Sequence, residues 1–158
     1  MTPLKDPFDR PAIRTGAFYQ FPDRAMSWLE AAFGLTRSID VRDSSGGLVH
    51  AEMRFGRCSI VIDAEWPGVA SSPKSLGGKT TQIIYVQMDE GLDSHFTRAR
   101  RHGAEIITEP EDQYYGDRLY RVRDLEGHVW TFSQAVRCVS RVQAEVLGGV
   151  RITGWHNG

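Results

Sequence analysis

Residues 114–134, YYGDRLYRVRDLEGHVWTFSQ, carry two runs of alternating character on either side of a short break. Residues 119–124 alternate apolar with charged side chains, Leu125, Glu126 and Gly127 interrupt them, and 128–134 alternate again. A period of two is the mark of a strand with one buried face, and a glycine-bearing break between two such runs marks a hairpin. An aromatic loop, Tyr114, Tyr115 and Gly116, leads into it.

A weaker copy lies upstream. His50–Gly56, HAEMRFG, can be laid over 119–124, and both lead through a turn into a β-rich strand. Working outward, the first half reads as a strand over 14–21, a helix over 24–33 and strands over 36–42, 48–55 and 58–63. Asp23 is suited to cap that helix and Gly34 to stop it. Residues 65–79, rich in proline, glycine and serine, read as a loop. The second half repeats the order: strand 81–88, helix 92–102, strand 104–108, a loop over 109–115, then the hairpin. A repeat of about 65–70 residues is too long for a solenoid of small units. The expectation is one α+β domain of two βαβββ modules, 13–63 and 81–134. A 1–12 arm precedes it, a 64–80 linker joins the modules, and a 135–158 extension follows. A ferredoxin-like βαββαβ order would place fewer strands after each helix. In the extension, Val136, Val139, Val142 and Val146 are spaced for a helical stripe, although β-branched valine favours helix only weakly.

Composition sets the limits. A chain of 158 residues can bury roughly 70% of its unfolded surface as one domain. With 41% hydrophobic and 25% charged residues it is ordinary for a globular protein. Its net charge of −1, with both signs interleaved, gives no footprint for nucleic acid. Arg98, Arg100, Arg101 and His102 read as a solvated helix face. No run approaches the roughly 20 apolar residues of a membrane span, and the N-terminus lacks an apolar signal core, so a cytoplasmic location is expected. Cys58 and Cys138 show no CxxC or zinc spacing and are expected to be reduced, with Cys58 a small core residue.

Four stretches, AMSWLEAAFG, HAEMRFG, HFTRARRHGAEI and above all YYGDRLYRVRDLEGHVWTFSQ, resemble the vicinal oxygen chelate superfamily of glyoxalase I, bleomycin-resistance proteins, extradiol dioxygenases and fosfomycin-resistance enzymes. The resemblance spans about residues 13–134. It implies two βαβββ modules paired into a cupped mixed sheet with helices outside and a ligand cleft inside, in a chain that is commonly dimeric. It also implies metal ligands near the start of each module's first strand and within its last. Those points fall here at Gly16, at Val61 or Asp63, at Ile83 or Gln82, and at Thr131. A catalytic metal needs about three protein ligands beside an open position. These residue types cannot supply them, so no cofactor is expected.

Period-two alternation instead assigns a mixed aromatic and polar surface to the face away from Tyr19, Phe21, Ile84, Val86, Trp130 and Phe132. Its candidate ligand-binding residues are Phe18, Gln20, His50, Glu52, Tyr85, Gln87, Arg121 and Thr131, with Trp66, Tyr114 and Tyr115 on loops that could close over them. Such a surface suits a small organic ligand with a flat part and polar substituents, and the resemblance implies an aromatic or antibiotic ligand bound without metal by a homodimer. The rival is a metal-dependent lyase or dioxygenase with a displaced site at His50, Glu52 and Asp63. A third possibility is a metal-free enzyme with Glu52 as its base. Structural readings stand beside these. Glu52 and Arg121, equivalent in the repeat, could pair across the modules, His50 and Glu52 could form a polar rim, and Asp117 with Arg118 could fix their own loop.

Overall fold

The computed structural model describes residues 4–156; the first three residues of the expected arm and the last two of the extension lie outside them. Strand β1 (Thr15–Tyr19), helix α1 (Pro22–Phe33) and strands β2 (Thr36–Arg42), β3 (Leu48–Phe55) and β4 (Cys58–Ala64) form the first half. A 3-10 turn at Pro73–Leu76 interrupts the linker. Strand β5 (Ile83–Met88), helix α2 (Leu92–Arg101) and strands β6 (Glu105–Asp112), β7 (Asp117–Arg123) and β8 (Val129–Ala135) form the second half, and helix α3 (Arg141–Gly148) follows.

The fold is α+β, and each half is a βαβββ unit. The two four-stranded mixed sheets have the same order, β1-β4-β3-β2 and β5-β8-β7-β6. The first strand of each unit pairs parallel with the last, and the other pairs are antiparallel. Their free edges meet, because the Gln82 side chain donates to the Gly16 carbonyl at 2.7 Å and accepts from the Thr15 hydroxyl at 3.1 Å.

Both helices lie on one side of the sheets and pack on each other. α1 buries Ala25, Met26, Leu29, Ala32 and Phe33 on the stripe its sequence presents. Phe33 stands edge-on to Trp130 and Phe132, at 5.3 and 5.0 Å between ring centroids. α2 closes the far end of α1. Arg98 donates to the carbonyls of Ala31 and Glu30, each at 2.6 Å, and His95 Nε2 donates to that of Phe33 at 2.8 Å. Carbonyls at a helix end have no partner within the helix, and here the second module supplies them. His95 is therefore a buried core residue (8% exposed).

The structure moves several expected features. β1 stops at Tyr19, so Phe21 is 58% exposed at the N-cap of α1 rather than part of the core stripe. Pro22 explains the earlier start, because its fixed φ suits the first helical position, and Asp23 lies inside the helix. β6 runs on to Asp112 through Pro110, which a strand at a sheet edge tolerates, with an irregular register between Thr108 and Glu111. Cys58 is exposed rather than in the core, and both cysteines are free. The valine-spaced extension forms α3 only from Arg141, under a capping box of Ser140 and Gln143. It buries Ala144 and leaves Val142 and Val146 in solvent.

The turn between β7 and β8 clasps the two units. Asp124, buried, accepts from the Tyr19 hydroxyl at 2.7 Å, from Trp130 Nε1 at 3.1 Å and from the amides of Glu126 and His128, both at 3.0 Å. Glu126 accepts from the amides of Gln20 and Phe21 just before α1 and from the Ser72 hydroxyl. His128 Nε2 donates to the Phe18 carbonyl at 2.8 Å. Burial pushes the Asp124 carboxyl above its ordinary value, against the neighbouring His128 charge and the donated hydrogen bonds.

Candidate functional site

The face of each sheet turned away from the helices is the open face, and its two halves are built differently. In the first half, His50, Glu52 and Arg54 project from β3 on alternate positions. Glu52 is fully buried. Its carboxylate receives the Arg14 guanidinium, His50 Nε2 at 3.1 Å and the Ser59 hydroxyl at 3.1 Å. Burial alone would raise its pKa, but hydrogen bonds from His50 and Ser59 and the Arg14 charge outweigh that and hold it below the ordinary value. Arg54 donates to the carbonyls of Phe8 and Asp9, at 3.0 and 3.1 Å, so the arm is fastened to this strand. Glu52 is thus an ionised carboxylate surrounded by donors, and its ion-pair partner is Arg14 rather than Arg121.

The same contacts bear on the displaced metal site at His50, Glu52 and Asp63. Asp63, offered as the third ligand, turns an oxygen to the Ala64 amide at 2.9 Å. Among the described residues no group of three or more His, Cys, Asp or Glu side chains comes together in a way that could hold a metal ion. At the points where ligands are expected, β1 and β4 present Gly16 and Val61, and β8 presents Thr131. The donor set does not fit a divalent metal.

The second half keeps its polar groups available. Strand register sets Tyr85, Thr131 and Arg121 side by side on β5, β8 and β7. Directly opposed residues share a face, so this is one row of the open side. Tyr85 is 70% exposed. Thr131 is 1% exposed, and its hydroxyl has no hydrogen-bond partner among the described residues. Arg121 is half-buried; its backbone amide donates to Thr108 Oγ1 at 3.1 Å, and among the described residues its guanidinium meets no acceptor. In the next row Ser133 donates to Gln87 at 2.6 Å. Tyr115 lies near this face. Burial raises its pKa, Asp117 and Tyr114 add to the shift, and the Arg121 charge opposes it.

The Tyr114–Tyr115 loop is held from behind by the extension. Val136 and Arg137 both donate backbone N–H groups to the Gly116 carbonyl at 3.0 Å. Gly116 has φ of 104°, and a Cβ there would stand 2.5 Å from the Arg137 carbonyl oxygen. A Cβ on Gly148 of α3 would lie 2.6 Å from the Tyr114 ring. Arg118 takes the structural role, with Asp112 at 2.7 Å and Asp93 at 2.8 Å.

Two cavities adjoin the open face. One of about 360 Å³ lies at the seam between the units, with Phe55, Ile60, Ile84 and Trp130 in its walls and Tyr85 and Gln87 among its lining. The other, about 560 Å³, is an open hollow bordered by the linker and lined by Phe18, Leu76, Lys79, Gln82 and His128. Gln20 donates to Ser75 of the linker at 2.7 Å. Trp66 is exposed in a bridge to Ala70 and lines neither cavity. The expected ligand residues therefore fall into separate groups. Tyr85, Gln87, Arg121 and Thr131 come together with Tyr115 close by, Phe18 and Gln20 belong to the linker side, and His50 and Glu52 are tied to Arg14. Sequence reading missed Asp124, Glu126 and His128 as the inter-unit clasp, although two acids and a histidine crowded into one turn are unusual if all are solvated.

A family model described as the Glyoxalase/Bleomycin resistance protein/Dioxygenase superfamily matches residues 14–132. The chain belongs to that superfamily. An uncharacterized protein of Mycobacterium tuberculosis H37Rv is 33% identical over 120 residues, covering 73% of this chain and 69% of its own length. The crystal structure of TioX from Micromonospora sp. ML1 superposes with a TM-score of 0.63 at 30% identity, covering 82% of this chain and 100% of TioX. The fosfomycin resistance protein FosX from Mesorhizobium loti shares the fold, with a TM-score of 0.53 at 13% identity over 78% of this chain and 91% of its own. Among the described residues, this superfamily member has no helix long and apolar enough to cross a membrane.

Proposed function

We propose that this superfamily member binds a small organic ligand on the open face of its second unit without a metal ion. The observation that carries the reading is the row Tyr85–Thr131–Arg121. It joins an exposed aromatic ring, which also lines the apolar seam cavity, to a buried hydroxyl with no partner and a guanidinium with no acceptor among the described residues. Ligand sites combine an apolar hollow of this size with a few polar groups that fix orientation. Against the metal-dependent lyase or dioxygenase reading, Glu52 is ion-paired with Arg14 as well as hydrogen-bonded to His50, and Asp63 turns an oxygen to the Ala64 amide. Assembly as a homodimer is part of the proposal, and sedimentation velocity tests it directly.

Thermal-shift screening of chelator-treated protein against flat organic compounds tests the binding reading. Hits should raise the melting temperature without added metal, and Tyr85→Ala should erase the shift. Binding that appears only after a divalent metal is restored, or that survives Tyr85→Ala unchanged, would overturn it.

A further inference from the structure

We infer that the ligand is a flat organic anion, an aromatic carboxylate, with its oxygens on Arg121 and Thr131 and its ring against Tyr85. This deepens the proposed function and rests on its reading of the open face. The arginines around that face differ in their commitments. Arg14 is spent on Glu52, Arg54 on the carbonyls of Phe8 and Asp9, and Arg123 on Glu105 at 2.5 Å. Arg121 is half-buried and, among the described residues, meets no acceptor. Removing a charge from water is costly unless something pairs with it.

Its neighbour across β8 has the complementary deficit, because the buried Thr131 hydroxyl also has no partner among the described residues. Both groups can donate, and a threonine hydroxyl can rotate to do so. An acceptor-only group of one negative charge therefore satisfies both at once. A carboxylate fits the fork of a guanidinium and keeps a lone pair for the hydroxyl. A neutral amide would leave the arginine charge unbalanced. The Thr131 hydroxyl is covered in the free chain, so its bond to the anion requires neighbouring side chains to move aside. Tyr85 stands two strand spacings from Arg121, roughly 10 Å, and borders the seam cavity. That distance matches a flat ring system that carries its charge at one end.

The test uses 2-naphthoate and its uncharged isostere 2-naphthamide, titrated calorimetrically into the full chain and into Arg121→Gln, Arg121→Lys, Thr131→Val and Tyr85→Ala. The naphthoate should bind at least about tenfold more tightly than the amide. Arg121→Gln should remove that preference, Arg121→Lys should retain part of it, and Thr131→Val should weaken naphthoate alone. Equal affinity for the two compounds, both lost in Tyr85→Ala, would overturn the anion inference while leaving the binding face intact. Binding of either compound that Tyr85→Ala leaves unchanged would overturn the inference and the binding face together. No binding of either at millimolar concentration would overturn the aromatic carboxylate, and the broader screen would then judge the face on other ligands.

Discussion

Thr131 and Glu52 occupy corresponding surfaces of the two units yet meet opposite fates. A buried hydroxyl without a partner costs about 1–3 kcal/mol of lost solvation. If it is kept for a ligand, removing it should help the fold and harm binding. Thr131→Val is therefore expected to raise stability by about 1 kcal/mol in urea unfolding; a loss of that size would mean the hydroxyl is already satisfied. Glu52 is the converse case, with every donor around it used. Its folded pKa lies below the ordinary value, so between the two values the unfolded chain binds the proton more tightly. The ion pair with Arg14 should then contribute fully above the unfolded pKa and fade as pH falls toward the folded one. Melting temperature measured from neutral to acid pH should drop more steeply in the native chain than in Glu52→Gln; parallel curves would contradict this. Alternation placed both residues on the open face from sequence alone. It could not foresee Arg14 as the partner: the pattern puts Arg14 at the start of the expected first strand, on the same face as Gly16 and Phe18, but a period of two does not say which side chain of another strand a residue pairs with.

At the scale of elements, strands and helices were legible wherever periodicity and punctuation agreed, as in the Met26–Leu29–Phe33 stripe ended by Gly34. Misplaced boundaries have local causes: Pro22 draws α1 back by two residues, and the edge position of β6 lets Pro110 stay inside a strand. α3 hid its role because its valines face solvent, while its useful contact is the absence of a side chain at Gly148 against Tyr114. The extension and the 113–117 loop should accordingly behave as one body. Gly116→Ala places a methyl in a left-handed backbone position and against a carbonyl oxygen that cannot swing aside. It should cost about 2–4 kcal/mol in chemical denaturation and speed hydrogen exchange at the amides of Val136 and Arg137, which bond to Gly116. Unchanged exchange there would show that the extension docks independently of the loop. Gly148→Ala meets only a ring that can turn, so its effect should be smaller and fall mainly on Tyr114.

The whole molecule depends on how two similar units are joined, and sequence says little about this because hydrogen bonds between units have no period. The repeat predicted both modules, yet the residues that lock them sit in the turn of the hairpin that revealed them. α2 completes the carbonyl end of α1, and Glu126 accepts from the amides at its start. Neither unit therefore holds all the partners of its own polar groups, which implies that the two unfold together. Asp124 is the decisive position, since one buried carboxylate gathers Tyr19 from the first unit and Trp130 from the second with two turn amides. Asp124→Ala would leave those donors buried without acceptors, an expected loss of about 3–5 kcal/mol out of a total of about 5–15. Asp124→Asn keeps the shape and one acceptor oxygen but points donors at donors, so it should lie between alanine and the native chain. Followed by tryptophan fluorescence and by far-ultraviolet circular dichroism, both variants should unfold earlier in urea with the two signals still coincident. Transitions that separate in the native chain would show that the units are stable by themselves and that the clasp merely orients them.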